Sequence, residues 1–522
     1  MFSPRRTALV IVCLFAGLLV PAARGGDSID GKVASVIDGP DYKQARWGVL
    51  VVDAKTGDVI YERNAERLFM PASVTKLYSC AAALAAFGAD YKFETPVYRR
   101  GDLRDGRLRG DLILVARGDL TLGGRTTAGG KMAFKDHDHI YANFPSGSES
   151  EVTDTDPLAG LTALARQVKE AGVKRIDGDV LIDDRLFAKA RGSGSGPDLL
   201  TPIAVNDNVI DVLITPADRA GDPAVVKMRP QTSLIQMDAQ VATGAEKGKP
   251  RLEIEAVGPN RFTVRGQVPV KSQPLVRIYP VDDPSAFARA LFIEALRREG
   301  LTVSASPLAP PEGELPERDG YDKLTRVAVY VSPPFSEFIK VTLKVSHNLY
   351  ASTLPLLVAS KEGKRTLPDG LALQRKFLKG LGVPVETISF GGGAGGAIAD
   401  NVTPRATVAL LQAMRKRDDW PAYRAALPVL GVDGTLVDVA PSGSRAKGKV
   451  MAKTGTLVYG DLMNERQLLR SKAMAGVMTT DRGRELTFAM FVNDVPLPRG
   501  VMSTREGKVL GKLAEIIQQN AD

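Results

Sequence analysis

The chain has 522 residues, enough for about three domains of ordinary size. With 44% hydrophobic and 25% charged residues it can bury large cores, which excludes a wholly disordered chain. The formal charge of +9 is scattered without any run of five or six basic residues, so it suits an anionic polymer nearby but does not argue for nucleic acid.

Residues 1–25 read as a secretory signal peptide. Arg5 and Arg6 precede an apolar run from Ala8 to Val20, and the small residues of PAARGG then offer a cut near Ala23 or Gly25. The run is short for a membrane span, so an uncleaved anchor is the weaker reading. No later segment reaches about 18 apolar residues without a charge, which predicts a soluble mature chain. Cys13 would leave with the leader. Cys80 then stands alone, forms no internal disulfide, and reads as a small packing residue.

WGVLVVDAKTGDVIYER at 47–63 predicts two apolar strands around a polar turn. PASVTKLYSCAAALAAF predicts a buried, alanine-rich helix. From about residue 98 the texture changes to short β-type runs: LRGDLILVARG, RIDGDVLIDD, NVIDVLITP, RLEIEAVG, RFTVRGQVPV and LVRIYPV. One helix, DPLAGLTALARQVKEAG, is expected among them, with RGSGSGP at 191–197 as a flexible loop and residues 305–320 as a connector. Helical texture returns in PPFSEFIKVTLKVSHNLYASTLPLLVA and in TPRATVALLQAM, where Thr403 is a fair N-cap and Pro404 the first helical residue. VMAKTGTL, AMAGVMTT and ELTFAMFVND read as successive strands before a closing amphipathic helix. This pattern predicts an α+β domain made of residues 27–97 and 326–522, split by a β-rich insertion at 98–325 of one or two small modules.

Three short motifs carry possible chemistry. Ser73 and Lys76 stand three apart, so on a helix they share a face. A serine hydroxyl needs a base, and a lysine serves once desolvation or a cationic neighbour keeps its amine neutral. By itself the pattern also fits a helix N-cap. Ser346 and Asn348, in KVSHNLYAS, can face one cleft only if the backbone leaves regular helix; otherwise they are surface residues. Lys453, Thr454, Gly455 and Thr456 form K-T-G-T on a strand, where a lysine can bind a carboxylate and a glycine lets another backbone approach. A second K-T-G at 55–57, between two predicted strands, reads as a hairpin turn.

The order and context of these motifs resemble the signature of penicillin-recognising serine acyl-transfer enzymes. The gap of 270 residues from Lys76 to Ser346 has no room in a compact β-lactamase. It is similar to the D-alanyl-D-alanine carboxypeptidase/endopeptidase family, the class C low-molecular-mass penicillin-binding proteins. LRGDLILVARGDLTL, VNDNVIDVLITP, PVLGVDGTL and FVNDVP also look like family segments in family order. The resemblance implies a transpeptidase/β-lactamase-like fold, an antiparallel sheet flanked by helices. It implies cell-wall peptides as substrates, β-lactams as covalent inhibitors, a periplasmic or cell-wall location, and no metal or organic cofactor. Ser73 would be the nucleophile, Lys76 its base and Ser346 the proton relay. Asn348 would hold the peptide, and Lys453 with Thr454 or Thr456 would grip its carboxylate. The N–H groups of Ser73 and Thr456 would form the oxyanion hole, and Lys76 and Lys453 would depress each other's pKa. Oligomeric state stays unassigned.

The sequence departs from the family in three places. His347 stands where aspartate is common and is expected to point out of the cleft. GGGAGGAIAD at 391–400 replaces a Gly-Ser-Gly-type segment, and residues 460–472 read as a lengthened loop at the cleft entrance. DHDH at 136–139 is a candidate metal cluster, but the chain has only three histidines, so it reads as a polar surface loop. Two rivals remain. A non-catalytic wall-binding protein would show damaged motifs, and a β-lactamase or esterase would release its acyl group rapidly.

Overall fold

A computed structural model describes residues 28–144 and 150–522; the leader expected at 1–25 lies outside the described residues. No helix among the described residues is long and apolar enough to cross a membrane.

The run WGVLVV becomes the strand Arg46–Asp53, which sits inside one antiparallel sheet. The order is Val450–Asp461, Arg466–Thr479, Glu485–Asn493, Arg46–Asp53, Val59–Arg63, with Val495–Pro496 pairing beside the second. Strand residues alternate between two cores. Leu50, Val52, Ala475, Ala489 and Phe491 face a core shared with the Ser73 helix and the helices Phe335–Lys344 and Asn348–Lys361. Val49, Val51, Met474, Met490 and Val492 face a second core, closed by the terminal helices Ile29–Ile37 and Thr504–Asn520. Burial on both faces explains why the strand reads as a continuous apolar run rather than an alternating one. The expected α+β architecture therefore holds, built from the two ends of the chain.

Between those ends the chain runs out on Glu94–Arg104 and returns on Thr325–Val331, antiparallel neighbours from Thr325 opposite Arg99 to Val331 opposite Glu94. They belong to a six-stranded sheet, followed by two three-stranded sheets. A single apolar cluster joins all three, from Val97 through Val212 and Val264 to Ala328. The sequence reading expected one helix in this region; there is a second, Pro284–Arg298. Asp283 caps it by accepting from the Ser285 and Ala286 amides, with Pro284 at its first position, a start signal the reading passed over.

The lengthened loop expected at 460–472 is also corrected. The strand Val450–Asp461 pairs with Arg466–Thr479 from Val450 opposite Met478 out to Asp461 opposite Arg466, so only 462–465 turn. Leu462 and Met463 stand exposed at the tip.

Candidate active site

The helix Thr75–Phe87 is buried along its first ten residues, including Cys80, so it is enclosed on every side rather than amphipathic. A 3₁₀ turn, Ala72–Val74, leads into it and carries Ser73. Ala72 adopts φ +45°, a left-handed conformation that costs a non-glycine residue about 1–3 kcal/mol. Ser73 caps nothing: Val74 is the cap position and no side chain bonds there. The helix-cap explanation of S-x-x-K is thereby removed.

Lys76 is completely buried. Its Nζ lies 2.8 Å from Ser73 Oγ, 2.7 Å from Asn348 Oδ1 and 2.8 Å from the Ala394 carbonyl. Burial pulls its pKa down to about 7. A neutral amine has two N–H groups and one lone pair. The two carbonyl oxygens take the N–H groups, which leaves the lone pair for the Ser73 hydroxyl.

The helix Phe335–Lys344 stops short of the second motif. Ser346 turns the chain at φ +63°, and a new helix, Asn348–Lys361, starts after His347. This break lets Ser346 and Asn348 face one cleft. The Tyr141 hydroxyl, from the inserted region, donates to the Ser346 carbonyl and holds the turn. Asn348 is engaged at both ends of its amide: Oδ1 accepts from Lys76 and Nδ2 donates to the Ser195 carbonyl at 3.1 Å. Its amide therefore orients the base and a wall of the cleft, and the second Nδ2 hydrogen is left to donate to a bound peptide.

Val450–Asp461 is the edge strand of the sheet, so its free edge faces the Ser73 turn. Lys453 is completely buried, with Nζ 2.9 Å from Ser346 Oγ and 2.7 Å from the Thr454 carbonyl. Burial first, and the nearby Lys76 second, hold its pKa well below the usual lysine range. The expected mutual depression is thus visible at Lys453, whereas burial is what lowers Lys76. A side chain at Gly455 would run into the Pro71 carbonyl, so glycine is what allows the strand to lie against the turn. Thr454 donates to the Thr435 hydroxyl at 2.7 Å, while Thr456 is exposed. A hollow of about 200 Å³ beside Ala72, lined by Met70, Ile398, Leu457 and Tyr459, leaves room for a substrate side chain.

The segment 391–400 supplies backbone to the site. Ala394 holds Lys76, and Gly393 accepts from Ser79 Oγ at 2.8 Å. Gly395 sits at φ +93°, and a Cβ there would overlap the Ala72 carbonyl. Gly395→Ala is expected to destabilise the protein by ~1–3 kcal/mol and to slow Ser73 acylation, measured by urea unfolding and by timed β-lactam labelling.

DHDH is not a surface loop. Asp138 and His139 are buried in an ionic cluster behind the second motif. Arg125 donates to both Asp138 oxygens, at 2.7 and 2.9 Å, and to Asp207 at 2.6 Å. His139 lies 2.8 Å from Asp207 and 2.5 Å from Asp211, which also accepts from Arg229 at 2.9 Å. Burial disfavours a charged His139, but the carboxylates of Asp211, Asp138 and Asp207 outweigh it and raise its pKa to about 10. Three carboxylates then face two guanidinium groups and one imidazolium, and the charge closes. The Tyr350 hydroxyl donates to Asp207. His347 turns away from the cleft, as expected, but into this cluster: it stacks on Tyr350 and lies 3.4 Å from Asp207. Asp138, Asp207 and His347 converge within 4.8 Å, and the positive charge they meet is Arg125 and His139. The signal for this cluster was N-D-N at 206–208, three residues that tolerate left-handed backbone and adopt it here, with φ from +48° to +57°.

The chain is similar to D-alanyl-D-alanine carboxypeptidase of Actinomadura sp. (strain R39), 29% identical over 453 residues, covering 81% of this chain and 76% of that protein. It is 25% identical over 466 residues to D-alanyl-D-alanine carboxypeptidase DacB of Haemophilus influenzae, covering 85% of each. The fold matches the crystal structure of penicillin binding protein 4 (dacB) from Haemophilus influenzae with a TM-score of 0.69 and 21% identity, over 91% of this chain and 97% of that one. That protein is also known complexed with a β-lactam. The profile of the D-Ala-D-Ala carboxypeptidase 3 (S13) family matches residues 29–509, and the chain belongs to that family.

Proposed function

We propose that this protein is a serine D-alanyl-D-alanine carboxypeptidase or endopeptidase that acts on peptidoglycan peptides through an acyl-enzyme on Ser73. One observation carries the reading. Ser73 Oγ lies 2.8 Å from a buried amine whose two N–H groups are already taken by carbonyl oxygens. A nucleophile and its base are thus in contact, with the lone pair aimed at the proton to be moved.

Lys76 takes the Ser73 proton as Oγ attacks the carbonyl between the two D-alanines. The N–H groups of Ser73 and Thr456 hold the oxyanion, and each such donor lowers the barrier by about 3 kcal/mol. Ser346, with Lys453 at 2.9 Å, passes its proton to the departing D-alanine nitrogen and takes up the one held by Lys76, so the C–N bond breaks and Lys76 is neutral again. Water then attacks the ester, Lys76 takes its proton, and Ser73 leaves as the alcohol. Lys453 and Thr456 bind the terminal carboxylate. In this reading residues 27–97 and 326–522 form the catalytic unit, while 98–325 braces it through Tyr141, Ser195 and Asp207. A β-lactam acylates the same oxygen, and the protein works outside the inner membrane, in the periplasm or at the wall.

The test is product analysis. Purified muropeptides carrying D-Ala-D-Ala ends, and cross-linked dimers, are expected to lose one D-alanine or one D-Ala cross-link by mass. Ser73→Ala is expected to abolish both. Turnover that survives in Ser73→Ala would overturn the assignment.

A further inference from the structure

Lys472 lies outside the three motifs. It is the cross-strand partner of Thr456, on the strand Arg466–Thr479. Directly opposite side chains of an antiparallel pair share a face, and Lys472 Nζ reaches Thr456 Oγ1 at 2.8 Å. Its stem lies along Gly507 of the closing helix, where an added Cβ would stand 3.4 Å from Cε and 3.5 Å from Nζ.

The groups facing this ammonium are few. Thr456 comes from the neighbouring strand and Gly507 from the helix. Lys453 senses its charge. The acidic influence is Glu506, whose carboxylate is already engaged by Arg505 at 2.6 Å and by the Tyr42 hydroxyl at 2.6 Å. Among the described residues no carboxylate lies within ion-pair distance of Lys472. A half-buried cation without a counter-ion is unfavourable until an anion arrives. Burial lowers Lys472 to about 8 and Lys76 to about 7, and holds Lys453 well below the usual lysine range. With a pKa of about 8, Lys472 carries its proton at pH 7. Thr456 accepts from it, so the Thr456 O–H is left to donate to another acceptor.

We propose that Lys472 determines specificity for a free C-terminal carboxylate, by directing the exposed Thr456 hydroxyl onto that carboxylate and placing a positive charge behind it. The inference rests on the Ser73 reading and extends it. A peptide ending in a carboxylate is favoured over the same peptide ending in an amide.

The test compares diacetyl-L-lysyl-D-alanyl-D-alanine with its C-terminal carboxamide, read as KM or, for a peptide that is not turned over, as an inhibition constant. Lys472→Met is expected to raise the KM of the carboxylate peptide about tenfold, to leave kcat within about twofold, and to leave the carboxamide unchanged. Lys472→Arg is expected to restore the carboxylate KM and to move its alkaline loss from near pH 8 to higher pH. Equal changes on both peptides, or no change on either, overturn the inference. A wild-type protein that releases no D-alanine and takes no penicillin on Ser73 defeats the Ser73 reading instead.

Discussion

Lys76→Met is expected to slow Ser73 acylation by at least about a thousandfold while leaving the protein no less stable. The two effects have opposite signs because one property causes both. In the folded protein Lys76 titrates at about 7, against 10.5 for an ordinary lysine. Between those values the unfolded chain holds the extra proton. The burial cost is therefore full below pH 7 and disappears as pH rises through 10.5. At neutral pH it is on the order of 5 kcal/mol. Methionine removes that cost and fills most of the volume. Against this gain, Asn348 Oδ1 and the Ala394 carbonyl lose a donor, at about 1–3 kcal/mol each. Urea unfolding and timed penicillin labelling on the same preparation check both signs. A variant that is inactive because it has unfolded would remove this explanation.

Asp207→Asn should have the largest effect on stability, a loss of about 3–5 kcal/mol. Asparagine keeps the shape and tolerates the φ of +54° at this position, so the charge is what changes. Asp207 accepts from Arg125 at 2.6 Å, from His139 and from Tyr350, all buried. Without it three positive groups, Arg125, Arg229 and His139, face two carboxylates, and one charge is left uncompensated. The pH dependence follows from the shifts. Burial works against an ionised Asp207, but Arg125 wins and holds it well below the usual carboxylate range, so its contribution is lost only as pH falls below that range. His139 is raised from 6.5 to about 10, so its contribution is complete below pH 6.5 and lost as pH rises through 10. The stability gap between wild type and Asp207→Asn is thus widest near neutral pH and narrows at pH 10. Chemical unfolding at pH 7 and pH 10 reads it.

What could be read from the sequence follows a physical division. Strands buried on both faces, such as Arg46–Asp53, announce themselves as apolar runs, and Thr403 with Pro404 marks the helix Pro404–Met414 through local capping. Ser73, Lys76, Ser346 and Lys453 were legible because their chemistry belongs to side chains in a fixed order. The Ala394 carbonyl was not, since a backbone oxygen has no letter of its own. The bond from Lys76 to Asn348 Oδ1 was not legible either, because nothing local says that Oδ1 meets a residue 272 positions away. Asp138 and His139 looked like a surface loop because their polarity is compensated by Arg125, Asp207 and Asp211, contributed by other segments. The hairpin at 460–472 reads as a loop because polar residues such as Asp461, Asn464, Glu465 and Arg466 crowd the ends of its two strands and break any apolar run.

The central claim is that a neutral, desolvated Lys76 activates Ser73. The most direct test is the rate of acylation by a penicillin from pH 5 to pH 11, with the adduct located by peptide mass mapping. The account predicts an adduct on Ser73 and a rate that rises through about pH 7 to a plateau. An adduct on another residue, or a rate that rises only near the ordinary lysine value of 10.5, would contradict it.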